Sequence, residues 1–269
     1  MTLERKEEEM RPYLSVIIPA YNEEKRIGIT LEAVYTYLEK QSFTWELLIV
    51  LDGVTDGTLD IVRDFGQDRK GIRWIDREEN RGKGYTIREG MLAAKGDIRL
   101  FTDADNSTDM AHFDQMKPFF KDGASVVICS RDGKDAEGAH QVIPQPFLKR
   151  VLGNLGNLFI QMVAVPGIWD TQCGFKAFRA AAAEKIFTIS RIERWGFDME
   201  ALALARRLGY KIEIIGANWV DEPHTHVTRL DYIRSLTEAV KVRWHLLTGG
   251  YNFASAETAE AHPAPVEEH

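Results

Sequence analysis

Cysteine is scarce. The 269 residues contain two, Cys129 and Cys173, which leaves no disulfide framework and no cysteine-based metal site and fits a reduced, cytoplasmic setting. No run of ~18 apolar residues occurs, so no segment reads as a bilayer-spanning helix. The opening MTLERKEEEM has no apolar stretch of the signal-peptide kind. A basic excess is also missing: Lys and Arg number 34 against 41 Asp and Glu, a net charge of −7, which argues against a dedicated nucleic-acid binder. No glycine-rich loop follows the first apolar run, which disfavours a nucleotidyltransferase. Internal repeats are absent as well.

What remains is ordinary globular usage, 44% hydrophobic and 28% charged, in a length that suits one large domain or two small ones. The charge is unevenly spread. Residues 12–139 carry 17 basic and 23 acidic side chains, residues 140–250 carry 14 and 10, and the last 19 carry four Glu and nothing basic. Residues 1–11 and 253–269 read as tails, the second one acidic, poor in large apolar residues and disordered.

In the first half, apolar runs alternate with amphipathic stretches. LSVII (14–18), ELLIVL (46–51), IRWI (72–75), IRLFT (98–102) and SVVIC (125–129) read as buried strands. Residues 23–40, with Ile27, Leu31, Val34 and Leu38 at helical spacing, and the stretches 57–66 and 83–95 read as helices. This alternation predicts an α/β fold, a Rossmann-like, mostly parallel sheet with helices on both faces. Further on, 147–165 is a long apolar helix, DTQCGFKAF (170–178) a turn into a short strand, 198–208 a helix, 211–220 strand-like, and 230–248 a basic amphipathic helix.

Ligands in such sheets sit beyond the carboxyl ends of the strands, which directs attention to four segments. Asp103-Ala104-Asp105 follows IRLFT. Two carboxylates two residues apart at a strand end can reach one hard cation, which Mg²⁺ satisfies with one or two carboxylates plus substrate phosphates; a solvated acidic turn is the plain alternative. Asp52-Gly53 follows ELLIVL, where an acidic residue can accept from a base or ribose or simply make an Asp-Gly turn. Arg81-Gly82-Lys83-Gly84 opens a helix and offers backbone N–H groups and two cations to a phosphate, or is a flexible basic turn. PAYNEE (19–24) follows the first strand. His224 and His226 in EPHTH lack a third ligand nearby and read as a loop.

Taken in order and spacing, PAYNEE, the Asp52 turn, NRGKG and DAD resemble the family-2 glycosyltransferases with a GT-A fold. DTQCGFKAF and ERWGFDMEAL narrow the likeness to the dolichyl-phosphate (polyprenyl-phosphate) β-glucosyltransferase branch. The resemblance spans about 13–250. It implies one GT-A domain over 12–252, with a nucleotide-sugar half (12–139) and an acceptor half (140–252). It also implies a metal-dependent inverting transfer of a hexose, glucose from UDP-glucose, onto a polyprenyl or dolichyl phosphate. Pro19, Ala20, Tyr21 and Glu23 then line the donor's nucleoside pocket. Asp52 holds base or ribose, Lys83 lies near base or diphosphate, and Asp103, Ala104 and Asp105 meet the donor. Asp103 and Asp105 bind Mg²⁺ or Mn²⁺. Arg131 meets phosphate, Gln172 faces sugar or acceptor, Trp195 packs on the acceptor side, and Asp198 occupies the catalytic-carboxylate position, with Gln172 and Arg131 beside it. Two departures are visible. Leu51 and Val54 replace the first Asp and the Ser of the family's Asp-Asp-Gly-Ser turn, and Ser107 stands where the mannosyltransferase branch often has Gln.

The basic half suits an anionic acceptor, with Lys149, Arg150, Arg191, Arg194 and Arg229 as further candidates. The segments 147–165 and 230–248 suit a peripheral position on the cytoplasmic face of a membrane. Other readings are GDP-mannose as donor, a soluble acceptor, or a nucleotide-sugar-binding protein without catalysis.

Overall fold

The computed structural model describes residues 11–141, 147–219 and 229–258. In chain order the elements are β1 (Leu14–Ala20), α1 (Ile27–Glu39), β2 (Trp45–Asp52), α2 (Thr58–Gly66), β3 (Ile72–Arg77), α3 (Lys83–Ala93), β4 (Ile98–Thr102), α4 (His112–Lys121) and β5 (Val126–Ser130). They continue with β6 (His140–Gln141), α5 (Phe147–Val163), β7 (Phe175–Arg179), α6 (Ala180–Ile189), α7 (Phe197–Arg207), β8 (Ile212–Gly216), β9 (Asn218–Trp219), α8 (Arg229–Thr248) and α9 (Phe253–Thr258). The pair His224 and His226 lies outside the described residues.

Seven strands form one sheet in the order β3-β2-β1-β4-β7-β5-β8, and β6 pairs with β9 apart from it. The sheet is parallel except for β7, which runs antiparallel to both its neighbours, β4 and β5. The continuous apolar runs follow from burial on both faces. Alternate residues of β1 and β2 feed two separate cores: Val16, Ile18, Leu47 and Ile49 pack under α1 and α2, while Ile17, Leu48 and Val50 pack under α3. The helical spacing of Ile27, Leu31, Val34 and Leu38 is realised, since all four are buried on α1. β3 is an edge strand, and its residues are accordingly only partly covered.

The topology determines where a ligand can sit. From β1 the chain moves to β2 and β3 on one side and returns to β4 on the other, so a crevice opens beyond the carboxyl ends of β1, β2 and β4. Because β7 is antiparallel, its beginning lies at that same edge. The DTQCG turn therefore meets the ends of the parallel strands.

One expectation fails at the C-terminal side. The composition from 253 onward predicts a disordered tail, but Phe253–Thr258 is helical and rests on α6. Phe253 packs against the core, Ala256 is buried, and the buried Tyr251 donates its hydroxyl to Glu200 at 2.8 Å. Apolar residues three apart were enough to dock this turn; residues 259–269 lie outside the described residues.

Candidate active site

A cavity of about 550 Å³ occupies the crevice, and every donor, metal and catalytic residue named from the resemblance lines it; of the further cations Arg194 lines it, Arg191 does not, and the side chains of Lys149, Arg150 and Arg229 lie outside what the structure describes. Pro19 and Ala20 close β1, Asp52 closes β2, and Asp103, Ala104 and Asp105 follow β4. Arg131 follows β5, Gln172 precedes β7, and Trp195 and Asp198 come from the turn into α7. Residues more than 170 positions apart thus converge because they share one edge of one sheet.

The Asp103-Ala-Asp turn is shaped by its neighbour in the sheet. Thr102 pairs with Phe175 across β4 and β7, which sets Asp103 against Gly174. A Cβ at position 174 would lie 2.0 Å from Asp103 Oδ2 and 2.6 Å from Oδ1, so only glycine leaves room for the carboxylate. Asp103 Oδ1 is buried, and its close partner is the Lys83 ammonium, with Nζ at 2.6 Å. Asp105 uses Oδ1 to cap its own turn, accepting from the Ser107 N–H at 3.0 Å. Burial would lower the Lys83 pKa, but Asp103, Asp198 and Asp105 together outweigh that and raise it, so the ammonium stays charged.

Asp52 behaves differently from the expectation for the RGKG turn. Its Oδ1 accepts from Arg77 Nη2 and from the Arg81 N–H, both at 2.8 Å, and its Oδ2 accepts from the Gly82 N–H at 2.8 Å. The N–H groups of Arg81 and Gly82 are therefore held by a carboxylate and are not open to a phosphate. The turn is locked, and its remaining function in the cavity is to present Lys83. Glu23, on the PAYNEE side, is itself held by Arg26 through two hydrogen bonds of 2.7–2.8 Å.

On the opposite wall Arg131, Asp198 and Gln172 each have a partner that the sequence did not reveal. Arg131 makes a two-pronged ion pair with Asp170, at 2.7 and 2.9 Å. Burial alone would raise the Asp170 pKa, but the guanidinium overcomes this and holds it down to about 2. Asp198 accepts from Lys176 Nζ at 2.5 Å, with both side chains almost fully buried. Burial pushes the Asp198 pKa up against the opposing pull of Lys176 and Lys83. Gln172 donates to Ser235 Oγ at 2.9 Å, tying the DTQC turn to α8. The Lys in the otherwise apolar strand FKAF was the one visible sign of such a pair. Asp170 carried no comparable signal.

The loop 190–196, which carries Arg194 and Trp195, is clamped from two helices. Glu200 of α7 accepts from the N–H groups of Arg191 and Ile192 at 2.8 and 2.9 Å, and Glu238 of α8 accepts from Gly196 at 2.6 Å. The same loop presses on RGKG. A Cβ on Gly82 or Gly84 would come within 2.6 Å of the Glu193 or Ile192 carbonyl, and the Tyr85 N–H donates to the Glu193 carbonyl. Lys83 sits 5.8 Å from the Trp195 ring centre.

Residues 15–187 match the sequence profile of "Glycosyl transferase family 2". Over 255 residues, 90% of this chain and 77% of the relative, it is 32% identical to a dolichyl-phosphate beta-glucosyltransferase of Dictyostelium discoideum. Over 254 residues, 88% of the chain and 77% of the relative, it is 32% identical to the Homo sapiens protein of that name. Among solved structures, glucosyl-3-phosphoglycerate synthase from Mycobacterium tuberculosis, in complex with Mn²⁺, UDP and glucosyl-3-phosphoglycerate, superimposes with a TM-score of 0.63 at 19% identity, covering 88% of this chain and 80% of that one. That likeness gives the fold, a GT-A-type sheet with its crevice at the ends of β1, β2 and β4. With the motifs in family order and the profile matched over most of the chain, the protein belongs to glycosyl transferase family 2.

Proposed function

We propose that the protein moves glucose from UDP-glucose, with inversion, onto the phosphate of a polyprenyl or dolichyl lipid at a membrane surface. The observation that carries this reading is a single cavity with two chemically distinct walls. One holds the Asp103–Asp105 turn with Lys83, and the other holds Arg131, Gln172, Trp195 and Asp198. The relatives named above act, by their names, on dolichyl phosphate.

Asp103 and Asp105 fit a divalent cation. Both are hard oxygen donors on one turn, and Asp103 Oδ1 already meets a cation, the Lys83 ammonium at 2.6 Å. When bound, Mg²⁺ or Mn²⁺ neutralises charge on a leaving diphosphate. The chain's own contribution on that side is the Lys83 ammonium, kept charged by the surrounding carboxylates and able to exchange Asp103 for a phosphate oxygen. Inversion needs the acceptor oxygen in line behind the sugar. A phosphate monoester, with a second pKa of about 6, is already mostly dianionic at neutral pH, so no strong base is required. Asp198, pinned by Lys176, then orients the sugar or stabilises positive charge developing at its reacting carbon. Arg131 is held in a fixed direction by Asp170 and steers the incoming phosphate.

The membrane side of the proposal draws on α5 and α8. No helix among the described residues is long and apolar enough to cross a bilayer, so the attachment proposed is peripheral. The test is a donor screen with Mg²⁺ or Mn²⁺ and a short polyprenyl phosphate, following product by mass. UDP-glucose is expected to yield the lipid-linked hexose. Transfer from GDP-mannose instead, or to a soluble phosphosugar or glycerate instead, overturns donor or acceptor. Donor binding without transfer or hydrolysis would leave a nucleotide-sugar-binding protein. Asp198→Asn is expected to slow transfer to the phosphate acceptor without abolishing it; complete loss with donor binding intact would make Asp198 an obligatory base.

A further inference from the structure

Beside the catalytic cavity lies a second groove, of about 800 Å³, which shares only Arg194 with the first. Arg191 and Arg194 enter it from the clamped loop, and Arg234, Lys241, Trp244 and His245 enter it from α8. Four Arg and Lys side chains outnumber its two acidic residues. Glu193 pairs with Arg81 at 2.8 Å and with Arg88 at 3.7 Å, and Glu238 takes the Gly196 N–H. The groove therefore presents a cationic face. Alongside it runs an apolar stripe. Ile233, Val240, Trp244 and Leu247 on α8 are 50–68% exposed, and Leu155, Leu158 and Met162 on α5, which packs on α8, are 42–67% exposed. Trp244 belongs to both, at the border between the charged and apolar surfaces.

That pairing identifies the occupant. The centre of a protein interface is depleted of charge, whereas a helix lying on an anionic bilayer has large apolar residues below the phosphates, cations level with them, and Trp at the boundary. We propose that the groove seats the phosphate-bearing headgroup of an anionic phospholipid that is not the acceptor, while the α5–α8 stripe sinks among the acyl chains. Headgroup binding acts on the loop that carries Arg194 and Trp195, because Arg191 belongs to it and Glu238 ties it to α8. This rests on the reading that the enzyme works at a membrane surface.

The test is flotation of the full chain with phosphatidylcholine vesicles, with and without phosphatidylglycerol. The wild type is expected to float with the anionic vesicles only, less so at high salt. An Arg234→Gln, Lys241→Gln double variant, with both residues in this groove and neither in the catalytic cavity, should lose roughly 10-fold or more in vesicle affinity. Its transfer to a short-chain acceptor in detergent should be unchanged, and its melting temperature should stay near that of the wild type. Trp244→Ala should weaken flotation without changing the salt dependence. Equal binding to neutral vesicles, or undiminished binding by the double variant, overturns the proposal. Displacement by inorganic phosphate at matched ionic strength would reveal a free-phosphate site and overturn it too. A raised KM for the short-chain acceptor in the double variant would make the groove part of the acceptor path, which also overturns it. Flotation without transfer to any lipid phosphate would leave the groove assigned and the enzymatic reading refuted; transfer without flotation would do the reverse.

Discussion

Replacing Gly174 by alanine should disable the site through one methyl group. The new Cβ would stand 2.0 Å from Asp103 Oδ2, against 3.4 Å for an ordinary contact, so the carboxylate must retreat by about 1.4 Å. It has somewhere to go, since Asp103 is 30% exposed toward the cavity, but going there breaks its 2.6 Å pairing with Lys83. Gly174 has no left-handed backbone angle, so alanine adds crowding without backbone strain. Moving a positioning group by about an ångström costs on the order of 10²-fold in rate. Overpacking of this size costs about 1–3 kcal/mol, a fall of roughly 2–12 °C in melting temperature for a domain of this length. The assay measures kcat/KM for transfer and the melting temperature for Gly174→Ala, Asp103→Ala and the double variant. Asp103→Ala removes the group that clashes, so the double variant should melt above Gly174→Ala and be no less active than Asp103→Ala. Activity of Gly174→Ala within threefold of wild type, or a stability loss that Asp103→Ala fails to relieve, would refute the reasoning.

Two further outcomes follow from the buried ion pairs. Lys176→Met leaves the Asp198 carboxylate without its partner in a dry site. It should cost about 3–5 kcal/mol, and Lys176→Met, Asp198→Asn should recover much of that in urea melts; an additive double variant would count against the pairing. Asp170, held down to about 2 from an ordinary 3.8, contributes about 2 kcal/mol that is fully present above its unfolded pKa and lost as pH falls toward its folded one. The stability gap between wild type and Asp170→Asn should therefore narrow in urea titrations carried from pH ~5 downward, and a constant gap would show that the ion pair is not what stabilises the turn.

The parts of this architecture legible in the sequence are those written in local pattern. LSVII and ELLIVL are apolar throughout because helices cover both faces of their strands, and that alone predicts a parallel sheet with its ligands at the strand ends. PAYNEE, DAD and the Asp52 turn could be placed in a common crevice for the same reason. What escaped depends on approach between distant segments. The antiparallel direction of β7 is a choice of partner that FKAF does not encode over so short a length. That Asp52 would take the N–H groups of Arg81 and Gly82 follows from a turn geometry that only the folded chain produces, 29 and 30 residues on. The glycines of RGKG invited a phosphate reading, but their small size serves to admit the Glu193 and Ile192 carbonyls.

The division of charge along the chain also changes meaning once the pairs are known. The basic excess of residues 140–250 is not simply an open positive surface, because Lys176 is bonded to Asp198 in the core. The cations gathered at the surface lie instead in one groove along α8. From there a short chain of contacts leads inward: Glu238 of α8 holds Gly196, the adjoining Glu193 carbonyl presses on Gly82, and Gly82 is fixed by Asp52 at the end of β2. Whatever engages the outer face of α8 is therefore three contacts from Asp52. A displacement of α8 must also be felt at Gln172, which Ser235 holds directly. α8 and the 190–196 loop thus tie the two walls of the cavity together.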